Sequence, residues 1–232
     1  MKKLALLALA VFSINDMALA QDESFRAFVE RTNAAEPPPA MDAVQADALL
    51  TLQAIANEQN SCVPTGVRLD PLETATAIRM ISQGVTSGQV KNGWTAYGRA
   101  EGCPDAPRLR FIVLKMPDDS IRARVVNEGE SLANPSLMRD TSAMAAMSAL
   151  HAVRAADPTC NGEGLRMGGT RVTERSPDLG TNFHGAYYAG SWSEVWTFTV
   201  CGKSADVPIT FTADGQGGAN YNVRSTEVRL IQ

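Results

Sequence analysis

The chain has 232 residues with 21 basic and 25 acidic side chains, which gives a formal net charge of -4. Its Lys and Arg residues are scattered among acids, so the basic surface that nucleic-acid binding requires is missing and we expect no nucleic-acid partner. The length is enough to bury a core in two small domains or in one pseudo-symmetric domain.

The first twenty residues have the pattern of a secretory signal peptide. Lys2 and Lys3 precede an apolar run from Leu4 to Phe12, and Ala18-Leu19-Ala20 is a small-residue cleavage site. This predicts a signal peptide over residues 1–20 and a mature chain from Gln21. The apolar run is far shorter than the roughly 20 residues that span a bilayer. We therefore expect a periplasmic or secreted protein that does not span the membrane.

Residues 21–41 are predicted to form an N-terminal segment and a Pro-rich linker. Residues 21–35 are compatible with a short helix that has few apolar members. Glu36-Pro37-Pro38-Pro39 follows, and consecutive prolines favour a stiff, extended backbone.

An internal repeat governs the rest of the chain. Cys62 and Cys103 are 41 positions apart, and Cys160 and Cys201 have the same spacing. A shift of 98 residues superimposes Cys62 on Cys160, Cys103 on Cys201, Trp94 on Trp192 and Leu52 on Leu150. The pattern predicts two tandem duplicated units, residues 42–130 and 140–232, joined by a linker over residues 131–139.

Each unit is predicted to be one helix packed on a roughly four-stranded antiparallel sheet. Apolar residues fall at helical spacing from Asp42 to Asn57, and their counterparts lie 98 positions later. Period-two alternation follows in both units. The strands are expected near residues 74–82, 90–102, 107–116 and 120–129, and near 164–175, 191–201, 206–213 and 219–230. The fold class is therefore α+β.

The four cysteines are expected to form disulfides, because export places them in an oxidising compartment. Four cysteines allow three connectivities. Duplication favours Cys62 with Cys103 and Cys160 with Cys201, since each unit would then close its own bridge. A loop of this length constrains the unfolded chain by about 4 kcal/mol. With no C-x-x-C spacing and two histidines, a metal site is not expected, nor is a cofactor.

The segment Leu179–Gly190 is the first candidate binding surface. Phe183, His184, Tyr187 and Tyr188 combine rigid apolar area with polar tips, a mixture that suits recognition. The alternative is a longer hairpin loop that packs on its own sheet and leaves His184 at the surface.

Glu194 and Trp196 lie on one face of a predicted strand, next to Phe198. Burial of a carboxylate among aromatic side chains could make Glu194 an acid catalyst or a ligand contact. The alternative is an edge glutamate paired with Arg171 or Arg175. Trp196 could line a groove or belong to the core. No residue is assigned a catalytic role.

The segment Trp192–Gly218, with Cys201-Gly202 and the run Phe211–Gly218, resembles uncharacterised secreted proteins of proteobacteria. The resemblance covers about 27 residues and implies export without implying an activity. Gln83–Gly88 has one residue too many for the Q-x-V-x-G signature of cystatin-like inhibitors, so that family is not assigned.

These observations favour a non-enzymatic binding or protein-interaction module of the bacterial envelope, whose partner is an unidentified envelope protein or ligand. A first alternative is an envelope hydrolase that uses His184 and Glu194. A second is an enzyme inhibitor or immunity-like protein that inserts hairpin loops into an enzyme cleft.

Overall fold

The computed structural model describes the backbone of residues 14–231 and the side chains from Ser24 onward. The fold is α+β, with four helices: α1 (Ile14–Ala35), α2 (Met41–Gln59), α3 (Arg79–Thr86) and α4 (Pro135–Ala156). The strands are β1 (Gly66–Leu69), β2 (Glu73–Thr74), β3 (Asn92–Glu101), β4 (Arg108–Lys115), β5 (Ile121–Gly129), β6 (Arg166–Arg175), β7 (Ser191–Val200), β8 (Lys203–Ala213), β9 (Ala219–Val223) and β10 (Arg229–Ile231).

The predicted signal peptide lies largely outside the described residues. Its residues 1–13 are not described, and residues 14–20 form the beginning of α1. The predicted helix over residues 21–35 is the remainder of α1. Between residues 14 and 231, none of the helices has the length and hydropathy needed to cross a bilayer.

The ten strands form one mixed sheet, where the sequence predicted two sheets of about four strands. The order along the sheet is β1-β3-β4-β5-β6-β7-β8-β10, with β2 beside β3 and β9 beside β8. Every pairing is antiparallel except that of β5 with β6, in which Glu128 and Gly129 lie opposite Gly169 and Thr170. This short parallel joint connects the two halves of the sheet.

Helices α2 and α4, which each cover one half of the sheet, lie on opposite faces of it. Phe111 of β4 packs in the cluster beneath α2. Its neighbour Ile112 points the other way and contacts Ile81 of α3. The Met80 amide of α3 donates to Ser136 Oγ at the start of α4. Helices α3 and α4 therefore share the face opposite α2.

The core beneath α4 is the larger of the two and is rich in aromatic side chains. Trp192 and Phe211 stack with ring centroids 5.2 Å apart, and Phe198 is also buried. Leu150 on α4 and Leu52 on α2 are both 7% exposed. Burial of such side chains stabilises a fold by roughly 1.5–3 kcal/mol each.

Both predicted disulfides are confirmed. Cys62 follows α2 and bonds Cys103, which follows β3, with 5.9 Å between Cα atoms. Cys160 follows α4 and bonds Cys201 at the end of β7, with 5.8 Å between Cα atoms. Each bridge ties the end of a covering helix to the end of a strand.

The strand predicted near residues 74–82 is wrong. Strand β2 ends at Thr74, and α3 begins at Arg79. Ile78, Ile81 and Val85 recur at helical spacing and pack together over the sheet. Their spacing of three and four residues is the signal that the strand interpretation ignored.

The predicted linker 131–139 is shorter in the structure, because α4 begins at Pro135. The Asn134 side chain accepts hydrogen bonds from the Ser136 and Leu137 amides, both at 3.1 Å. Asn at the N-cap followed by Pro at the first helical position is a common helix start.

The last predicted strand, residues 219–230, is divided in two. Strand β9 ends at Val223, a 3₁₀ turn covers Ser225–Glu227, and β10 begins at Arg229. Both strands pair with β8. An interrupted edge offers fewer consecutive backbone groups to another strand, which protects against edge-to-edge aggregation.

Candidate functional site

Glu194 is the centre of a buried hydrogen-bond cluster under α4. Its side chain is fully buried, and its carboxylate accepts five hydrogen bonds from a hydroxyl, two indoles and two backbone amides. The donors are Ser131 Oγ at 2.7 Å, Leu132 N at 2.8 Å, Ala133 N at 3.0 Å, Trp192 Nε1 at 2.9 Å and Trp196 Nε1 at 2.8 Å. A carboxylate has about four lone-pair sites, so this group is saturated.

Arg110 supplies a positive charge on the far side of the same backbone segment. It is 6% exposed, and its Nη1 donates to the carbonyls of Ser131 at 3.2 Å and Ala133 at 2.9 Å. The backbone of residues 131–133, between the two halves, is therefore bound on both sides: the Arg110 guanidinium donates to its carbonyls, and the Glu194 carboxylate accepts from its amides. Buried charges require such compensation. The arrangement joins β4 to β7.

The predicted pairing of Glu194 with Arg171 or Arg175 is wrong, since Arg171 forms an ion pair with Asp206. Trp196 is fully buried and donates to Glu194, which places it in the core rather than in a groove. Neither Glu194 nor Trp196 is accessible to a partner.

The segment Leu179–Gly190 contains a tight turn that docks against the first half of the chain. Phe183 and Ala186 exchange backbone hydrogen bonds at 2.9 and 3.1 Å. Between them, His184 has φ 46° and Gly185 has φ 94°, values that suit the type I′ turns of two-residue hairpins. A Cβ on Gly185 would lie 2.7 Å from Ile78 Cγ1. Glycine is therefore required both by φ and by this close approach.

The aromatic side chains of this segment contact other parts of the protein. Phe183 and Tyr188 lie against the α1 cluster that contains the buried Val29. The Arg26 guanidinium of α1 lies 4.7 Å from the Phe183 ring centroid and 5.3 Å from that of Tyr188. Their contacts favour the packing alternative over an open recognition loop.

Tyr187 turns away from this group and packs on Trp192, with 5.6 Å between ring centroids. Burial raises the pKa of its phenol above the ordinary value of 10.0. The six predicted site residues thus fall into two clusters. Glu194, Trp196 and Tyr187 belong to the α4 side, and Phe183, His184 and Tyr188 contact α1 or β2.

His184 joins a polar cluster whose asparagine amides set its tautomer. The Gly93 amide donates to Asn92 Oδ1 at 2.8 Å, so Asn92 Nδ2 faces Asn33 Oδ1 at 3.0 Å. Asn33 Nδ2 consequently faces His184 Nδ1 at 3.2 Å. An amide nitrogen can only donate, so Nδ1 accepts and we assign the proton to Nε2.

Thr74 and Glu30 complete the surroundings of the His184 ring. Thr74 Oγ1 lies 2.5 Å from Nδ1 and donates to it in this tautomer. Nε2–H donates to Glu30 Oε1 at 3.3 Å. The His184 carbonyl also accepts from the Ala77 amide at 3.1 Å. The cluster therefore ties α1 and β2 to the turn, which a sequence cannot show because its members come from separate segments.

His184 and Glu194 have no hydrogen-bond partner in common among the described residues. His184 bonds Thr74, Asn33 and Glu30, whereas all partners of Glu194 lie within or beside the α4 core. Among residues 24–231, no group of three or more His, Cys, Asp and Glu side chains could hold a metal ion.

A second candidate surface is the outward face of β7 and β8, which points away from α4. We call it the open face and define it by Ser193, Val195, Thr197, Thr199, Thr210 and Thr212; of these, Ser193 is buried. Cross-strand register places Ser193 opposite Thr210. Thr197, Thr199 and Thr210 are partly exposed, and Thr212 is exposed. Most of these side chains are neutral and hydrogen-bonding, and β-branched threonine suits an exposed strand.

One ion pair lies within the open face. Asp206 accepts hydrogen bonds from Arg171 and from Thr197, the latter at 2.6 Å. Burial acts to raise the pKa of Asp206, but the two hydrogen bonds outweigh it and hold that pKa below the usual 3.8. The six residues that define the open face are themselves uncharged.

A groove of about 510 Å³ lies between α2 and the β5–β6 joint, on the same side of the sheet as the open face. We call it the seam groove. Its lining is mainly apolar and includes Leu52, Ile55, the Cys62–Cys103 bridge, Pro104 and Met167, with Asn127 and Glu128 at the joint. No local sequence pattern predicts this groove, because it forms only where the two halves of the sheet meet.

Comparisons with protein-family models, curated proteins and solved structures found no match. The resemblance over Trp192–Gly218 stays a prediction.

Proposed function

We propose that the protein is an exported, non-enzymatic interaction module of the bacterial envelope that binds a protein partner through the open face and the seam groove. The observation that carries this proposal is a half-sheet left partly exposed on one face, with an apolar groove at its inner margin. The groove lining also includes the acidic residues Glu58, Asp105 and Glu128, and an apolar centre with a polar rim is the usual anatomy of a protein–protein interface.

The leader pattern and the cysteines support export. All four cysteines are paired in intramolecular disulfides. Stable disulfides belong to oxidising compartments such as the periplasm or the extracellular space.

We further propose that the halves arose by duplication. Helices α2 and α4, strands β3 and β7, strands β4 and β8, and the two disulfides occur at an offset near 98 residues. This correspondence supports the proposal because one helix, its sheet and its bridge form a structural unit in each half.

A polysaccharide ligand fits the open face less well than a protein does. Sugar rings usually need an exposed aromatic side chain for stacking, and Trp94, Trp192 and Trp196 are all buried. A hydrolase based on His184 and Glu194 is also disfavoured, since the Glu194 carboxylate is saturated and buried.

The test is affinity capture from an envelope extract with the mature protein as bait. A double variant, Thr199→Arg and Thr212→Arg, adds two charges to the open face without removing core side chains. The matched control is Ala46→Arg, because Ala46 is exposed on α2 and Arg is a good helix former. Thermal unfolding of each variant checks that the fold is retained.

We expect a specific partner with the wild type and the control, and its loss with the double variant. Equal capture by all three proteins would reject the open face. Capture of an enzyme with loss of its activity would identify an inhibitor. If the protein bound to purified envelope polysaccharide and captured no protein, the ligand would be a glycan and the proposal of a protein partner would be rejected.

A further inference from the structure

Asn161 and Gly162 form one of two Asn-Gly pairs in the chain, and the other is Asn92-Gly93. In this dipeptide the glycine nitrogen can attack the asparagine amide carbon, because no Cβ shields it. The two pairs share the reactive dipeptide but differ in their flanking residues, Lys91 and Trp94 against Cys160 and Glu163, so the unfolded chain serves as the reference against which the effect of the fold is measured.

We propose that Asn161 is a site of spontaneous backbone-assisted deamidation and that Asn92 is protected. Asn161 is exposed, and it lies in the loop beside the Cys160–Cys201 bridge. Gly162 has φ 93°, a left-handed backbone conformation that glycine adopts without steric cost. Within the described part of the chain, no acceptor is assigned to the Gly162 amide.

The loop also polarises the carbon that would be attacked. Asn161 Oδ1 accepts a hydrogen bond from the Glu163 amide at 2.9 Å. When Gly162 N adds to Cγ, negative charge develops on Oδ1, and an amide already directed at that oxygen stabilises it. The Asn161 carbonyl is held separately by Arg154 Nη2 at 3.3 Å.

The reaction uses only the chain and water. Gly162 N loses its proton to solvent base and forms a bond to Asn161 Cγ. The bond from Cγ to the side-chain nitrogen breaks, ammonia leaves with one added proton, and a cyclic succinimide remains. Water then opens either carbonyl of the ring. One opening gives aspartate, and the other gives isoaspartate, in which the main chain runs through the former side chain.

Asn92 differs from Asn161 in its burial and in the engagement of the glycine amide that would attack it, although its Oδ1 also accepts hydrogen bonds. It is fully buried, and its amide nitrogen donates to Asn33 Oδ1 at 3.0 Å and to the Glu36 carbonyl at 3.2 Å. The Gly93 amide donates to Asn92 Oδ1 at 2.8 Å, and Gly93 belongs to β3 opposite Leu114. Attack at Asn92 therefore requires local opening of the sheet and of the α1 contact.

The experiment follows both sites in one sample. The disulfide-intact chain is incubated in mildly alkaline buffer at physiological temperature, and peptide mapping measures replacement of the amide by a carboxyl at each asparagine. An isoaspartyl methyltransferase assay measures the second product. We expect the native rate at Asn161 to exceed that at Asn92 by about 100-fold, equivalent to about 2.8 kcal/mol of opening free energy.

Incubation of the chain in concentrated urea is the control for sequence effects, because the two pairs should then react at similar rates. The Asn161→Gln variant should lose the native methyl-acceptor signal while the fold is retained. Equal native rates at the two sites would overturn the proposal. A large acceleration at Asn161 on unfolding would also overturn it, because the native loop would then protect that residue.

Discussion

Replacement of Glu194 by Gln is the most direct test of the cluster that joins the two halves. The better amide orientation leaves an oxygen for Leu132, Ala133 and Trp192 and turns the nitrogen towards Ser131 and Trp196. The Ser131 hydroxyl can rotate and accept, but the Trp196 indole can only donate. One orphaned buried donor costs about 1–3 kcal/mol.

The three bonds that remain also weaken, because hydrogen bonds to a charged group exceed neutral ones by about 1 kcal/mol each. Relief from burying an anion offsets part of this loss. The expected net destabilisation of Glu194→Gln is therefore about 2–4 kcal/mol.

Urea unfolding at neutral pH, followed by tryptophan fluorescence with both disulfides intact, measures this change. The control is Glu174→Gln, because Glu174 is exposed on the neighbouring strand and surface changes usually stay within about 0.5 kcal/mol. If Glu194→Gln behaved like this control, the cluster would not stabilise the fold as argued.

Three further predictions concern packing, covalent cross-links and acid sensitivity. Leu52→Ala and Leu150→Ala should each lower the free energy of unfolding by about 2–5 kcal/mol in urea titrations, because each opens a buried cavity; a loss below 1 kcal/mol would contradict tight packing. The double change Cys62→Ala with Cys103→Ala should cost about 2–5 kcal/mol in the same assay, and an unchanged midpoint would show that the bridge does not constrain the unfolded chain. Hydrogen bonds from Thr159 and Lys203 lower the Asp157 pKa from 3.8 to about 2, so the stabilising contribution of Asp157 is present above about pH 4 and is lost as the pH falls towards 2. The Asp157→Asn variant should therefore show a weaker dependence of the unfolding midpoint on pH over that interval. An unchanged pH dependence would reject this linkage.

Much of the local structure could be predicted because its causes are local in sequence. Period-two alternation located β3, β4, β7 and β8, and helical spacing located α2. The disulfide pairing followed from equal cysteine spacing. Errors arose where two local signals competed. Ile78 and Ile81 fall within the strand predicted near residues 74–82 although their spacing with Val85 is helical, and the Asn134-Pro135 helix start falls within the predicted linker.

The candidate site was less predictable because long-range contacts determine it. The donors to Glu194 include the Leu132 and Ala133 amides, 62 and 61 positions away in sequence. His184 meets Thr74 across 110 positions and Glu30 across 154. Residue type alone indicated that Glu194 and His184 were unusual, but not which groups would compensate a buried carboxylate or bond an imidazole.

The parallel joint accounts for the different surroundings of β4 in the first half and β8 in the second. It turns the second half over, so α2 covers one face of the first half and α4 covers the opposite face of the second. Ile112 and Leu114 of β4 are covered by α3, whereas the residues 98 positions later, Thr210 and Thr212, lie on the open face. Residues 177–184, which lie 98 positions after α3, form no helix and instead lead into the turn that contacts α1 and β2. Apolar side chains occur where the sheet is covered and threonines where it is partly exposed, so the sequence of β8 agrees with the exposure of the open face.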